Sequence, residues 1–397
     1  MYLLLLILLV FLAGSCYVKD RDLFSPILAV IFPIIFSVGL YLMHWSSYYK
    51  FESISLVFLL LIFSTFTVGF MTVRFARSST TNVSYKINYD SLNANRLRKV
   101  IHFLLYSAIL TFIIESIIVF PPLLSNTPTF NYMNFGLPII HHFISLLKLN
   151  CVLTIIYFKI TGKKKLLFIN LFVAILFYLL IMARLMIINF FLISFISYFI
   201  IFRIHIKKTT FIKILFVSFL LLLGFIFLGD LRLGNVGENY IYNISRVDFT
   251  KIPAPLALPY IYITVGIQNA INVIESYNSI YYGSITLTSL SPLININPGL
   301  KAFQVTDGLT TFIFGTKAFL DFHYFAPIIS FIEGVLIGFL YTKALQGKSM
   351  YVLFFLSFLF PACIMSFFSD TIFNSSFAIF LFSSFLIARY LKNPQTN

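Results

Sequence analysis

A chain of 397 residues that is 60% hydrophobic, 19% aromatic and only 10% charged lacks the polar surface to clothe a water-soluble fold of that size. Its net charge of +15 would suit nucleic acid only if the basic side chains gathered on one face among polar or aromatic readers. They fall instead in short segments between apolar runs, where they set the orientation of a membrane protein; no nucleic-acid partner is expected.

Apolar runs of about 17–22 residues follow one another almost without pause and predict an all-α, polytopic transmembrane bundle of about eleven spans, within a range of 10–12. In chain order they are 1–18, 23–44, 53–74, 100–120, 139–160, 166–182, 187–203, 211–229, 324–342, 350–368 and 376–391. The first lacks a positive start, and Ala13-Gly14-Ser15 before Cys16 is a poor lipoprotein cleavage box, so it reads as a retained helix. The other cysteines, Cys151 and Cys363, share its apolar setting without metal or redox spacing and read as packing residues. About twenty of the 28 basic residues fall on one side: Lys19 and Arg21, the 74–99 connection, Lys163 to Lys165, the 203–213 connection, Lys343 with Lys348, and the tail with Arg389 and Lys392. That side is expected to be cytoplasmic, with the N-terminus outside and the C-terminus in the cytoplasm.

Residues 230–323 form the outlier, a connection far longer than any other and expected to be external. The organisation predicted is therefore an N-terminal bundle of eight spans over 1–229, the loop 230–323, and a C-terminal bundle of three spans over 324–397, integrated into one membrane domain. Within the loop, 259–278 reads as a helix lying in the membrane interface, with Gln268, Asn269, Asn272 and Glu275 along one side of its second half. A re-entrant or twelfth spanning segment is the alternative there. No internal repeat or low-complexity tract is evident.

Three arginines stand on the side where positive charge is depleted: Arg184 after the sixth run, and Arg232 and Arg246 early in the long loop. A guanidinium kept there suits an anion such as phosphate, which its planar fork grips bidentately, although an arginine near a helix end also snorkels to lipid headgroups. The stretch from Gly229 to Gly237 around Arg232 would let backbone N–H groups approach an oxyanion, or is simply a turn leaving the eighth span; it matches no nucleotide-binding loop. Asp20-Arg21-Asp22 resembles a metal-holding aspartate pair but sits in a four-residue turn, and no metal site is expected. Asp321 and His323, where the ninth run begins, are candidate proton acceptors, the alternative for Asp321 being a helix cap. Glu333 is a further acid inside that run. Glu115 and Lys148, on antiparallel neighbours, are expected to form a buried ion pair, and the adjacent His141 and His142 point in different directions and do not make a metal site.

The chain resembles the O-antigen or capsule repeat-unit polymerases, the Wzy-type family, across most of its length. The resemblance rests on Ser25-Pro26, Phe66 to Phe70 with Gly69, Arg184, Gly229 to Arg232, Tyr282-Gly283, Asp321-Phe322 and Glu333-Gly334. It departs at His323, where the family often has a small residue. The resemblance implies a bundle like those of GT-C-type polyprenyl-dependent glycosyltransferases in the bacterial inner membrane. It also implies transfer of a growing glycan from undecaprenyl pyrophosphate to the non-reducing end of a lipid-linked repeat unit, with no nucleotide, metal or other cofactor. Arg184, Arg232 and Arg246 would hold the pyrophosphate, Asp321 or His323 would take the acceptor proton, and Tyr260, Asn269 and Thr311 would line a saccharide groove. The partners implied are undecaprenyl-pyrophosphate-linked oligosaccharides, membrane lipids and a chain-length regulator protein. An O-antigen ligase and a repeat-unit flippase remain the alternatives.

Overall fold

The computed structural model describes residues 2–20, 25–49, 53–76, 92–126, 128–137, 140–202, 224, 243, 245–290, 303–305, 309, 311–346, 350–370 and 375–391. The predicted span 211–229, the glycine-rich stretch 229–237 and Arg232 lie outside them. Among the described residues the chain is all-helical with no strand, as a lipid-immersed backbone must be when it has no water to bond to.

The helices are α1 (Tyr2–Asp20), α2 (Pro26–Tyr41), α3 (Ser53–Ala76), α4 (Ala94–Ile118), α5 (Pro128–Asn134), α6 (His142–Ser145), α7 (Leu147–Thr161), α8 (Lys165–Leu180) and α9 (Arg184–Phe202). After the undescribed stretch come α10 (Ala254–Ser276), α11 (Ser284–Leu290), α12 (Thr316–Phe322), α13 (Ala326–Gln346), α14 (Met350–Ile364) and α15 (Ser375–Leu391). Seven helical stretches among the described residues are long and apolar enough to cross a membrane, and four shorter apolar helices accompany them. One of the seven, Leu256–Ser276, falls where an interfacial helix was expected, and 78% of that stretch is buried within the protein. A helix lying in an interface buries one face; this one is enclosed.

Local chemistry sets the helix ends. Pro26 opens α2 in the first turn, where its missing N–H costs nothing. Asn93 caps α4 by accepting the N–H groups of Asn95 and Arg96. Gly162 closes α7 in the left-handed conformation, with its N–H on the Phe158 carbonyl. Hydroxyls inside the apolar helices bond back to carbonyls one turn earlier, as Thr67 does to Phe63 and Ser197 to Ile193, which satisfies them without water.

The chain divides into two compact units that alternate along the sequence: Met1–Tyr85, Gly237–Gly347 and Leu359–Ala378 in the first, Lys86–Val236, Lys348–Phe358 and Ile379–Asn397 in the second. The first is organised on the crossing of α3 with α13. Three glycines let these backbones meet: a Cβ on Gly69 would overlap the Phe331 carbonyl, one on Gly334 would overlap the Phe66 carbonyl, and one on Gly338 would lie 2.8 Å from Phe70 O. Gly334 and Gly338 are four residues apart, the spacing that puts small residues on one helix face in membrane helix pairs. The sequence features Gly69 and Glu333-Gly334 are thus the two sides of one crossing. In the second unit α7 is the central helix, packed by α4, α8 and α9, with Phe112 stacked on Phe177 at 4.1 Å and Asn150 donating to Asn170 at 2.8 Å.

Candidate functional site

In the first unit, α10 carries a polar stripe whose partners are protein groups. Asn269 is fully buried: its Nδ2 donates to the carbonyls of Leu309 and Thr311, both at 2.8 Å, and its Oδ1 accepts the N–H of Val305. Asn272 donates to the Phe303 carbonyl, while Gln268 donates to Asn272 and accepts from the Tyr41 hydroxyl. One turn of side-chain amides therefore ties the backbone of Phe303, Val305, Leu309 and Thr311 to a buried helix. Tyr260, 3% exposed, donates to the Leu40 carbonyl and accepts the Trp45 N–H, with its ring 5.2 Å from that indole. Tyr260 and Asn269, expected in a saccharide groove, spend their polar atoms inside the fold. Thr311 differs, because its buried hydroxyl has no partner among the described residues.

Asp321 is fully buried at the C-terminal end of α12. Its carboxylate accepts the N–H groups of Ile285 and Thr286 and the Thr286 hydroxyl at 2.6–2.9 Å, so it caps the first turn of α11 from a distance. The capping alternative describes this geometry, and no oxygen of Asp321 is left facing a ligand. His323 stands apart from it, half-buried at φ 47°, stacked on Phe319 at 4.9 Å. Its Nε2 must be the protonated nitrogen, since it lies 2.9 Å from the Ser279 carbonyl, which can only accept.

Behind them lies a charged group that sequence reading did not assemble. Lys317 donates to the Asp370 carbonyl at 2.7 Å, and the Asp370 carboxylate accepts the N–H groups of Gly315 and Lys317 at the start of α12. Burial pushes the Asp370 carboxyl above its ordinary range, opposed by the Lys317 ammonium and by those two N–H donors. Glu333, next to the α3–α13 crossing, feels the charges of Asp370, Lys317 and Asp321, and its Oε2 is buried without a partner among the described residues. Neither Asp370 nor Lys317 belongs to a recognisable pattern in the sequence. Among the described residues no cluster of His, Cys, Asp or Glu is arranged to hold a metal ion.

Arg246, exposed at φ 48°, belongs to a turn fixed by the antiparallel bridge of Ser46 with Val247, with Ser47 N–H on the Arg246 carbonyl at 3.0 Å. Asp248 follows it, its carboxyl held below the ordinary range by hydrogen bonds from the Thr250 hydroxyl and N–H.

No family model, curated protein or solved structure matches the chain.

In the second unit, Arg184 opens α9 directly after a tight turn in which Met182 adopts φ 57°. The helix before it, α8, is 16 residues long, about 24 Å at 1.5 Å per residue, so Arg184 lies at the far end of that hairpin from Lys163 to Lys165. Arg184 and Arg246 thus fall in different units, and Arg232 lies outside the described residues. The same end of the second unit corrects the expected pairing of Glu115 with Lys148. Glu115, 1% exposed, is bound by His141 Nδ1 at 2.9 Å and by the Leu137 N–H at 2.9 Å. Lys148 is buried on α7 with no acidic partner among the described residues. The pairing follows from helix ends: Glu115 sits in the last turn of α4, where the backbone dipole repels a carboxylate, and the chain that returns over that end supplies the donors.

Proposed function

We propose that this chain is a polyprenyl-pyrophosphate-dependent glycosyltransferase that polymerises surface-polysaccharide repeat units at the outer face of a bacterial cytoplasmic membrane. The observation that carries the reading is the placement of Arg184. It stands at a helix start in a multi-pass helical protein, on the hairpin end away from the basic cluster Lys163 to Lys165. A cation retained at the end that positive charge avoids calls for an anionic ligand, and a lipid-linked diphosphate presents its charge at that depth. The donor arrives with its leaving group attached, so the reaction needs cations to hold the departing pyrophosphate and a base for the acceptor hydroxyl, and no nucleotide or metal. In this reading Arg184 neutralises the diphosphate of the carrier. The polyprenyl tails lie among exposed apolar side chains of the helices. In this reading the apolar runs make about eleven spans, and the distribution of basic residues puts the N-terminus outside and the C-terminus in the cytoplasm.

Deleting the gene tests the reading on a lipopolysaccharide gel. A polymerase leaves core capped with a single repeat unit, a ligase leaves uncapped core, and a flippase leaves no surface repeat. Persistence of the full ladder would overturn the proposal. Complementation with Arg184→Ala at normal protein level should return the single-repeat band, with Arg184→Lys recovering only part of the ladder.

A further inference from the structure

The buried Glu115–His141 pair has the construction of an acid–base dyad. The Leu137 N–H donates to one Glu115 oxygen and His141 Nδ1 lies 2.9 Å from the other, so a Glu115 carboxylate takes Nδ1–H from His141. In the neutral ring that choice leaves the lone pair on Nε2, and Nε2 has no partner among the described residues. The His141 side chain is 21% exposed while its carboxylate partner is 1% exposed, so the pair opens outward on the imidazole side. Gly136 stands at φ +117°, where a Cβ would come within 3.1 Å of His141 Nδ1, so the backbone beside the ring is held to glycine. Position favours the same conclusion. Phe112, one turn before Glu115, stacks on Phe177, and the Tyr178 hydroxyl donates to the Ile144 carbonyl, three residues after His141. The start of α9 follows within a few residues, with Ala183 N–H on the Tyr178 carbonyl. Arg184 and the dyad therefore occupy one end of one compact unit, whereas His323 belongs to the other unit and Asp321 is fully engaged as a cap.

We infer that His141, oriented by Glu115, is the general base of the glycosyl transfer proposed above, on which this assignment rests. His141 Nε2 takes the proton of the acceptor hydroxyl as its oxygen bonds to the anomeric carbon of the donor glycan. The bond from that carbon to the pyrophosphate oxygen breaks, and its electron pair leaves with the polyprenyl pyrophosphate, whose added charge is met by Arg184. The proton on His141 is then released to solvent. Glu115 is a positioning residue: it fixes the tautomer and stabilises the imidazolium that forms.

Two isosteric variants separate this role from packing. In His141→Asn the amide N–H can replace Nδ1–H on Glu115, so the buried carboxylate keeps its donor while the base is removed. In Glu115→Gln the amide can donate to Nδ1 and force the proton onto Nε2, which preserves shape but presents the wrong tautomer. The assay is the initial rate of polymer formation by membranes of the deletion strain carrying each variant, supplied with the strain's own lipid-linked repeat unit and normalised to protein level. Both variants should lose about 10²–10⁴-fold in rate at normal abundance, and Glu115→Asp should recover part of it. If deletion abolishes the ladder and His141→Asn still polymerises at the wild-type rate, the dyad assignment falls and the polymerase reading stands. If deletion leaves the ladder intact, both fall together. If the variants lose only abundance, with rate per molecule unchanged, the pair is structural and the inference is overturned.

Discussion

Replacing Gly334 by alanine tests the packing on which the first unit depends. The added methyl would overlap the Phe66 carbonyl oxygen and lie 2.9 Å from its carbon and 3.0 Å from Phe70 N. Ordinary contact is about 3.5 Å, so α3 and α13 must part by roughly half an ångström or more, and Gly338 and Gly69 would loosen on the same axis. Overpacking of this kind costs about 1–3 kcal/mol against a helix-propensity gain of up to ~1 kcal/mol for replacing glycine. Gly39 on α2 supplies the control, because a Cβ there meets nothing within 4 Å and only the propensity gain remains. In detergent, with survival on size-exclusion chromatography after heating as the assay, Gly334→Ala should lower the midpoint by several degrees and Gly39→Ala should leave it unchanged or raise it. Gly334→Val should be worse than Gly334→Ala. Equal shifts for Gly334→Ala and Gly39→Ala would show that the close crossing does not set stability and would refute the reasoning.

Asp321→Ala removes the acceptor for two backbone N–H groups and a hydroxyl, and should destabilise the protein by roughly 3 kcal/mol, read as lost abundance and a lower melting midpoint; Asp321→Asn, which keeps one acceptor oxygen, should fall between. Lys148→Met replaces a buried, acid-free ammonium with an apolar chain of similar length and should be neutral or stabilising by about 1–2 kcal/mol, with the ladder unaffected. Burial raises the Asp370 carboxyl, so ionising it opposes folding: its contribution is present below the unfolded carboxylate range and is lost as pH climbs through the raised folded value. Melting midpoints should therefore decline as pH rises out of the ordinary carboxylate range, and Asp370→Asn should flatten that decline.

Hydrophobic run length was enough to locate ten helices, since spans such as 53–74 and 350–368 coincide with α3 and α14 to within a few residues. It was not enough for α10, where Gln268, Asn269 and Asn272 suit a membrane interface, because nothing in the sequence reveals that the backbone groups of Phe303, Val305, Leu309 and Thr311 come to Asn269 and Asn272. Site residues follow the same division. Arg184 is singled out by its position among the apolar runs alone, and the structure adds that it opens α9 directly after a tight turn. The partner of Glu115 was not legible, because any of several nearby donors satisfies a buried acid, and the choice of His141 over Lys148 depends on the path of the chain between α4 and α6. Asp321 carried two readings at once, and only the position of Ile285 and Thr286 separates them.

Two carboxylates joined end to end have a mechanical consequence. Asp370 grips the beginning of α12 through Gly315 and Lys317, and Asp321, at the other end of that same seven-residue rod, grips the beginning of α11. A tug on the 365–370 turn cannot be absorbed between them, since a short helix hardly stretches, and it is handed on to residues 284–286 as a nearly rigid push. Whatever displaces one of these anchors therefore displaces both.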